Sequence, residues 1–175
     1  MEKIDLKKEW KHLYAPSAKQ VEMVKVPTLK FAMLDGQIEP GETPAASQTF
    51  QDAIGALYGL SYTLKFMSKL RQRHPIDYPV MALEGLWWLD GDFKPSKLKN
   101  ARWKLLIMLP AFIQSGDVDR AQKQAAEKKT NPPINKIIIE TLNEGKSVQT
   151  LHVGPYATEP KTIQMLQGFM EKEGW

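Results

Sequence analysis

The segment spanning residues 103–112 has the pattern of a strand that is apolar on both faces. Leu105, Ile107 and Leu109 alternate with Leu106 and Met108. Successive side chains of a strand point to opposite sides of the sheet, and a strand that is apolar on both sides is typical of a sheet interior. We therefore predict that this segment lies inside a sheet rather than at its border.

The remaining hydrophobic pattern predicts a mixture of helices and strands. A proline between two apolar segments predicts an interrupted strand, a Thr-Pro pair is a typical helix start, and the sequence Asn-Glu-Gly-Lys between two apolar runs indicates a hairpin. We predict helices over residues 3–14, 45–73, 115–129 and 158–173, the second of them capped by Thr43 with Pro44 in its first turn. We predict strands over residues 21–26 and 28–37, which Pro27 separates, and over residues 78–89 and 103–112. A tight loop is predicted at 90–92, a helix stop at 131–133, and a hairpin with strands 135–142 and 147–153 around the turn 143–146.

The order of these elements suggests an internal repeat. Residues 21–112 read as two strands, a helix and two strands, and residues 135–175 read as two strands and a helix. We therefore expect one α+β domain over residues 1–175. Its parts are an N-terminal helical extension (1–20), a first repeat (21–112), a connecting helix (113–134) and a second repeat (135–175) without its last two strands. A longer natural chain, or a second copy in a homodimer, would supply the missing edge.

Composition excludes several classes of protein. The 175 residues contain no cysteine and three histidines, which removes disulfides, thiol catalysis and zinc–thiolate sites, and we expect neither a metal nor a cofactor. No apolar run approaches the ~18–20 residues of a membrane span, so a cytoplasmic protein is expected. The net charge of +4 comes from scattered basic residues, and such a pattern favours a solvated surface over nucleic-acid binding.

Glu84 is the strongest candidate for chemistry. It lies in Leu83-Glu84-Gly85-Leu86-Trp87-Trp88, where strand alternation places it on one face with Leu86 and Trp88. A carboxylate in an apolar row needs a hydrogen-bond partner, a ligand or a bound water. Desolvation raises the pKa of a carboxyl group and suits it to proton transfer near neutral pH. The alternative is that Glu84 faces solvent or pairs with a lysine.

The aromatic residues and one histidine supply further candidates. Tyrosine and tryptophan bind flat or cationic guests, and Tyr58 and Tyr62 recur at a four-residue step in the long predicted helix. If they faced Trp87 and Trp88, the four rings would form a cage; ordinary core packing is the alternative. His152 and Tyr156 lie in His-Val-Gly-Pro-Tyr before the last helix. A histidine there usually has a structural role, and Tyr156 would cover a pocket mouth.

Three motifs in the same order resemble the GyrI-like small-molecule-binding proteins, in the stand-alone branch that carries a Leu-Glu-Gly-Leu-Trp-Trp strand. They are residues 57–65 (Leu-Tyr-Gly-Leu-Ser-Tyr-Thr-Leu-Lys), Leu83–Trp88, and residues 151–156 (Leu-His-Val-Gly-Pro-Tyr). The resemblance implies two tandem strand-helix-strand-strand modules whose antiparallel sheets form a central groove for hydrophobic, often cationic ligands. Relatives continue into a strand with a His-Glu-Ile-Tyr-like segment that this sequence lacks.

The resemblance also implies a site and a chemistry. Some stand-alone members are similar to hydrolases that open the cyclopropane of DNA-alkylating natural products inside an aromatic cage. Carried over to this chain, it places Glu84, Trp87 and Trp88 in the site, with Tyr58 and Tyr62 as neighbours, and Tyr156 at the Gly-Pro-Tyr corner.

Three hypotheses follow. The first is a xenobiotic-binding pocket with optional hydrolysis of cyclopropanoid electrophiles. In it Glu84 acts on a water molecule, and a tyrosine hydroxyl donates to the carbonyl that gains negative charge as the ring opens. The second is a non-catalytic module that sequesters or senses cations. The third is a protein-interaction module like the gyrase-inhibiting relatives.

Overall fold

The computed structural model describes residues 1–88, 101–128 and 133–175. The chain divides into two compact units, Met1–Leu6 with Leu29–Leu142, and Lys7–Thr28 with Asn143–Trp175. In the described part of the chain, every buried apolar side chain belongs to the first unit. No described helix is both long enough and apolar enough to cross a membrane.

The elements confirm an α+β fold. Two short 3₁₀ turns, Ile134–Lys136 and Tyr156–Thr158, complete the regular structure. In chain order the strands and helices are β1 (Glu2–Lys3), α1 (Leu6–Glu9), α2 (Lys11–Tyr14), β2 (Glu22–Gln37), α3 (Gln48–Leu70), β3 (Ile76–Asp77), β4 (Leu83–Trp88), β5 (Arg102–Leu109), α4 (Ser115–Lys128), β6 (Ile138–Gln149) and α5 (Glu159–Lys172).

A four-stranded antiparallel sheet has the order β4-β5-β2-β6, and β1 pairs with β3 in a separate parallel ladder. The predicted interior strand is confirmed, because β5 pairs with β4 on one side and with β2 on the other. Leu105 and Leu106 are both buried although they lie on opposite faces. The double-sided apolar pattern therefore identified an interior strand, and the structure buries side chains on both of its faces.

Trp103 of β5 occupies the space that Gly36 of β2 leaves open. The two residues are paired across the strands, and a Cβ built on Gly36 would lie 2.3 Å from Cζ2 of the indole. Trp103 also makes an edge-to-face contact with Phe50 of α3, with ring centroids 5.3 Å apart. A glycine in the strand interior thus makes room for the ring that holds α3 on this face of the sheet.

Helix α3 starts later than the sequence indicated. Thr43 and Pro44 form a turn before it, and the N-cap is Ser47, whose hydroxyl accepts the backbone N–H of Phe50. The same hydroxyl donates to the Glu39 carboxylate at 2.6 Å. Ser47 rather than Thr43 caps the helix because its hydroxyl satisfies a helix N–H and is itself held by a carboxylate near the positive end of the helix dipole.

Strand β2 runs without interruption through Pro27, so the predicted break there is wrong. The pairing of β2 with β5 begins only at Lys30 opposite Leu109. Pro27 lies before that point, where its missing N–H removes no bond to β5.

The predicted hairpin at residues 143–146 is also wrong, because this segment lies inside the continuous strand β6. Gly145 has φ +69°, a conformation that glycine adopts easily and that accommodates a local irregularity within a strand. The N-terminal helix is shorter than expected and is divided into α1 and α2. The predicted loop at 90–92 and the helix stop at 131–132 lie outside the described residues.

Two lysines of α3 fix the short strand β3. Lys65 and Lys69 contact the two carboxylate oxygens of Asp77 at 2.7 and 2.8 Å, and Lys65 also donates to the Tyr78 carbonyl. These hydrogen bonds lower the pKa of Asp77 to about 2. The ion pairs connect the last turns of α3 to the segment that leads into β4.

We expect Gly36→Ala to lower the free energy of unfolding by about 1–3 kcal/mol, because the new methyl group collides with an indole that has no room to move. Trp103 is only 1% exposed. Urea denaturation measures the effect. Gly168→Ala is the matched control, since a Cβ there meets nothing within 4 Å and alanine favours a helix interior. Equal stability of the two variants would contradict this packing.

We expect Asp77→Asn to destabilise the protein near neutral pH, with a difference from wild type that shrinks in acid. The folded pKa, about 2, lies below the ordinary 3.8, so the carboxylate stabilises the fold above about pH 4 and loses this effect as the pH falls through its folded pKa. Denaturant unfolding between about pH 6 and pH 2 checks the trend. A difference that did not change with pH would exclude the ionic contribution.

Candidate functional site

Strand β4 lies at an edge of the four-stranded sheet, and its side chains alternate as predicted. Its register with β5 places Glu84 opposite Leu106 and Trp87 opposite Trp103. Glu84, Leu86 and Trp88 therefore share one face, and Leu83, Gly85 and Trp87 share the other. The two adjacent tryptophans therefore lie on opposite faces of the sheet, in different environments.

Trp87 faces α3. Its ring lies 5.3 Å from that of Phe50, and Phe50 in turn contacts Trp103. A Cβ added to Gly85 would lie 2.9 Å from Nε1 of Trp87. The space over Gly85, which a ligand could have used, is thus taken by the indole of Trp87.

Glu84 lies on the opposite face, where it is half-buried beside two more open side chains. Leu86 and Trp88 are each 37% exposed. The β5 residues on this face are buried Leu106 opposite Glu84, Lys104 opposite Leu86, and Arg102 opposite Trp88. On β4 and β5 this face therefore combines one carboxylate, an accessible apolar surface and two cations.

The two tyrosines lie on α3 and contact one another, with ring centroids 6.3 Å apart. Among the described ring contacts, Phe50 rather than Tyr58 or Tyr62 meets Trp87. Tyr62 is 48% exposed and lines a cavity of about 650 Å³ between α3 and α4. The structure thus brings the tyrosines to each other and one of them to this cavity.

His152 belongs to the second unit, and both of its ring nitrogens have partners. Nδ1 lies 2.8 Å from the Thr162 hydroxyl, and Nε2 lies 3.2 Å from the carbonyl of Pro155. A carbonyl only accepts, so Nε2 carries a proton in this arrangement. These bonds attach the turn that contains Pro155 to α5. The backbone of Tyr156 forms part of the 3₁₀ turn before α5.

Sequence reasoning missed a group of polar residues beside the α3–α4 cavity. Arg71, Asp117 and Arg120 line it, and buried Tyr78 interacts electrostatically with Asp117 and Arg71. Burial is the main cause that raises the pKa of Tyr78. The sequence signal for this cavity was the four-residue step from Tyr62 to Phe66 along α3. Residues four apart lie on the same side of a helix, and these two exposed rings line the cavity.

The described residues contain no group of three or more histidine, aspartate or glutamate side chains placed to hold a metal ion. On the Glu84 face, a carboxylate can accept a proton, and lysine and arginine side chains can stabilise negative charge.

Solved structures provide relatives over nearly the whole chain, although no protein-family model and no curated protein matches it. A crystal structure of an uncharacterized conserved protein from Listeria innocua is 32% identical, with a TM-score of 0.86 over 98% of this chain and 82% of that chain. A crystal structure of a hydrolase from the same organism is also 32% identical, with a TM-score of 0.80 over 98% of this chain and 85% of the other.

A further Listeria innocua hydrolase is 34% identical, with a TM-score of 0.83 over 99% of this chain and 82% of that chain. Agreement in sequence and backbone over this length joins the proteins as homologues. The chain therefore belongs to the same protein family as these Listeria innocua proteins, two of which are described as hydrolases.

Proposed function

We propose that the protein binds flat, hydrophobic small molecules of xenobiotic type on the Glu84 face of β4 and hydrolyses electrophilic ones. The observation that carries the proposal is the position of Glu84, half-buried and on one face with Trp88 and Leu86. The proposal is also supported by the 32% and 34% identity to two hydrolases. The substrate class, electrophiles with a cyclopropane conjugated to a carbonyl, follows from the GyrI-like resemblance.

The proposed reaction is the addition of water. The ring of the ligand lies against Trp88 and Leu86, which removes water from its apolar surface. Glu84 takes a proton from one water molecule while the oxygen of that water bonds to a cyclopropane carbon. The ring bond between that carbon and its neighbour breaks, and the electron pair of the broken bond moves through the conjugated system to the carbonyl oxygen. That oxygen takes up the proton afterwards.

Lys104 has a role in this scheme, because it shares the face of Glu84 and lies opposite Leu86. A cation near an oxygen that gains negative charge stabilises the transition state more than the ground state. The sequence reasoning had assigned this role to a tyrosine hydroxyl. Tyr58 and Tyr62 lie on α3, which packs on the opposite face of the sheet through Phe50, so Lys104 is the better-placed group.

The formal charges on this face balance. Lys104 pairs with Leu86 on one side and with Asp35 of β2 on the other, and Arg102 lies opposite Trp88. Two cations thus share the face with the carboxylates of Glu84 and Asp35. A neutral ligand leaves this balance unchanged, so the proposal takes a neutral electrophile rather than a cation as the ligand.

We also propose the tandem organisation that the GyrI-like resemblance implies. Apart from the two-residue strand β3, which pairs with β1 outside the four-stranded sheet, the order β2-α3-β4-β5 is a strand-helix-strand-strand module, and β6-α5 repeats its first two elements. A single long strand precedes the helix in each segment: β2 before α3 and β6 before α5. The sequence pattern had indicated two short strands at each place. This shared arrangement supports a common origin for the two segments.

We expect Glu84→Gln to reduce turnover of a neutral spirocyclopropyl dienone by about 10²- to 10⁴-fold, because the amide cannot accept the proton of the attacking water. Binding of the ligand should be largely unchanged, since the amide keeps the size of the side chain. Product formation in H₂¹⁸O, followed by mass spectrometry, measures turnover, and tryptophan fluorescence measures binding.

Asp35→Asn is the matched control for this experiment, since it neutralises another carboxylate on the same face of the sheet. Turnover by this variant should stay close to wild type. If Glu84→Gln hydrolysed the dienone as fast as wild type, Glu84 would have no part in catalysis.

The two tryptophans should separate into a binding role and a packing role. Trp88→Ala should weaken dienone binding by about tenfold, the order expected for one aromatic contact, and leave stability nearly unchanged. Trp87→Ala should lower the free energy of unfolding by about 3 kcal/mol, because it removes the ring that packs on Phe50. Fluorescence titration and urea denaturation of both variants test this, and identical effects of the two substitutions would contradict the assignment.

A further inference from the structure

The cavity between α3 and α4 has the size and lining of a small-molecule site. Its volume is about 650 Å³, within the ~300–1,000 Å³ range of ligand pockets. Its apolar lining includes Phe66, Met67 and Ile113. It is separate from the Glu84 face, because α3 packs on the opposite side of the sheet through Phe50.

Positive charge predominates in its lining. Arg71, Arg120 and Asp117 are the charged residues there. Asp117 is already engaged, since its carboxylate contacts Arg120 at 2.7 Å and accepts the backbone N–H of Gln114 at 3.0 Å. The guanidinium of Arg71 is held only by the carbonyl and hydroxyl of Ser68 among the described polar groups. Among the residues that the structure describes, no carboxylate therefore pairs with this cation of the wall.

An aromatic ring also holds this cation. The Arg71 guanidinium lies over the ring of Phe112, 5.8 Å from its centroid, and Phe112 in turn packs edge to face on buried Tyr78. An aromatic face attracts a cation without neutralising its charge, so the wall keeps a positively charged hydrogen-bond donor for a ligand.

We propose that this cavity binds an amphipathic organic anion. Its carboxylate accepts hydrogen bonds from the Arg71 guanidinium, and its apolar body packs on Phe66 and Met67. A carboxylate fits better than a cation, because it neutralises Arg71. This second site does not depend on the function proposed for Glu84.

The test uses 2-naphthoate as the probe and the methyl group of Met67 as the reporter. Protein labelled with [methyl-¹³C]methionine is titrated with 2-naphthoate and followed by NMR, and Met67→Leu assigns the Met67 signal. We expect this signal to shift in a saturable way. The neutral isostere 2-naphthamide should bind at least about tenfold more weakly, because it cannot form a charge-assisted pair with Arg71. A Met67 signal that does not move, or equal binding of the two compounds, would overturn the proposal.

Variants separate binding from structure. Arg71→Gln should weaken 2-naphthoate binding by about tenfold or more. Glu84→Gln should bind 2-naphthoate like wild type. Unchanged affinity in Arg71→Gln would overturn the proposal, as would loss of 2-naphthoate binding in Glu84→Gln.

Discussion

The packing of Trp103 over Gly36 determines how the first unit is arranged. The indole fills the space left by the missing side chain and meets Phe50 edge to face, and Phe50 also meets Trp87. Three rings thereby connect β4, β5 and α3 on one face of the sheet. Any side chain larger than hydrogen at position 36 would displace a ring that is almost completely buried.

The functional proposal is a consequence of this arrangement. Once Trp87 points towards α3, strand alternation leaves Glu84, Leu86 and Trp88 on the other face. There the carboxylate shares its surroundings with an accessible indole and with Lys104, so the groups proposed for proton transfer, apolar binding and charge stabilisation lie on one surface. Relatedness to two hydrolases agrees with such chemistry. The second site proposed, in the α3–α4 cavity, depends on Arg71 and lies on the helical side of the sheet.

Much of the first unit could be predicted from the sequence, because its signals are local and strong. The interior strand β5, the apolar stripe of α3 and the alternation of β4 all follow from the period of apolar side chains. The wrong predictions concern positions where tertiary pairing overrides local turn signals. Pro27 is tolerated because the pairing of β2 with β5 starts only at Lys30. Gly145 lies within strand β6 instead of a turn. The separation of Trp87 from Trp88 followed from alternation, but no sequence pattern identified Phe50 as the ring that Trp87 meets.

The most direct test of the account is a crystal structure of the Glu84→Gln variant with the intact dienone bound. The account predicts that the ligand ring lies against Trp88 and Leu86, with a cyclopropane carbon within reach of a water molecule held by the side chain at position 84. A dienone bound only in the α3–α4 cavity, or with its reactive carbon remote from position 84, would contradict it.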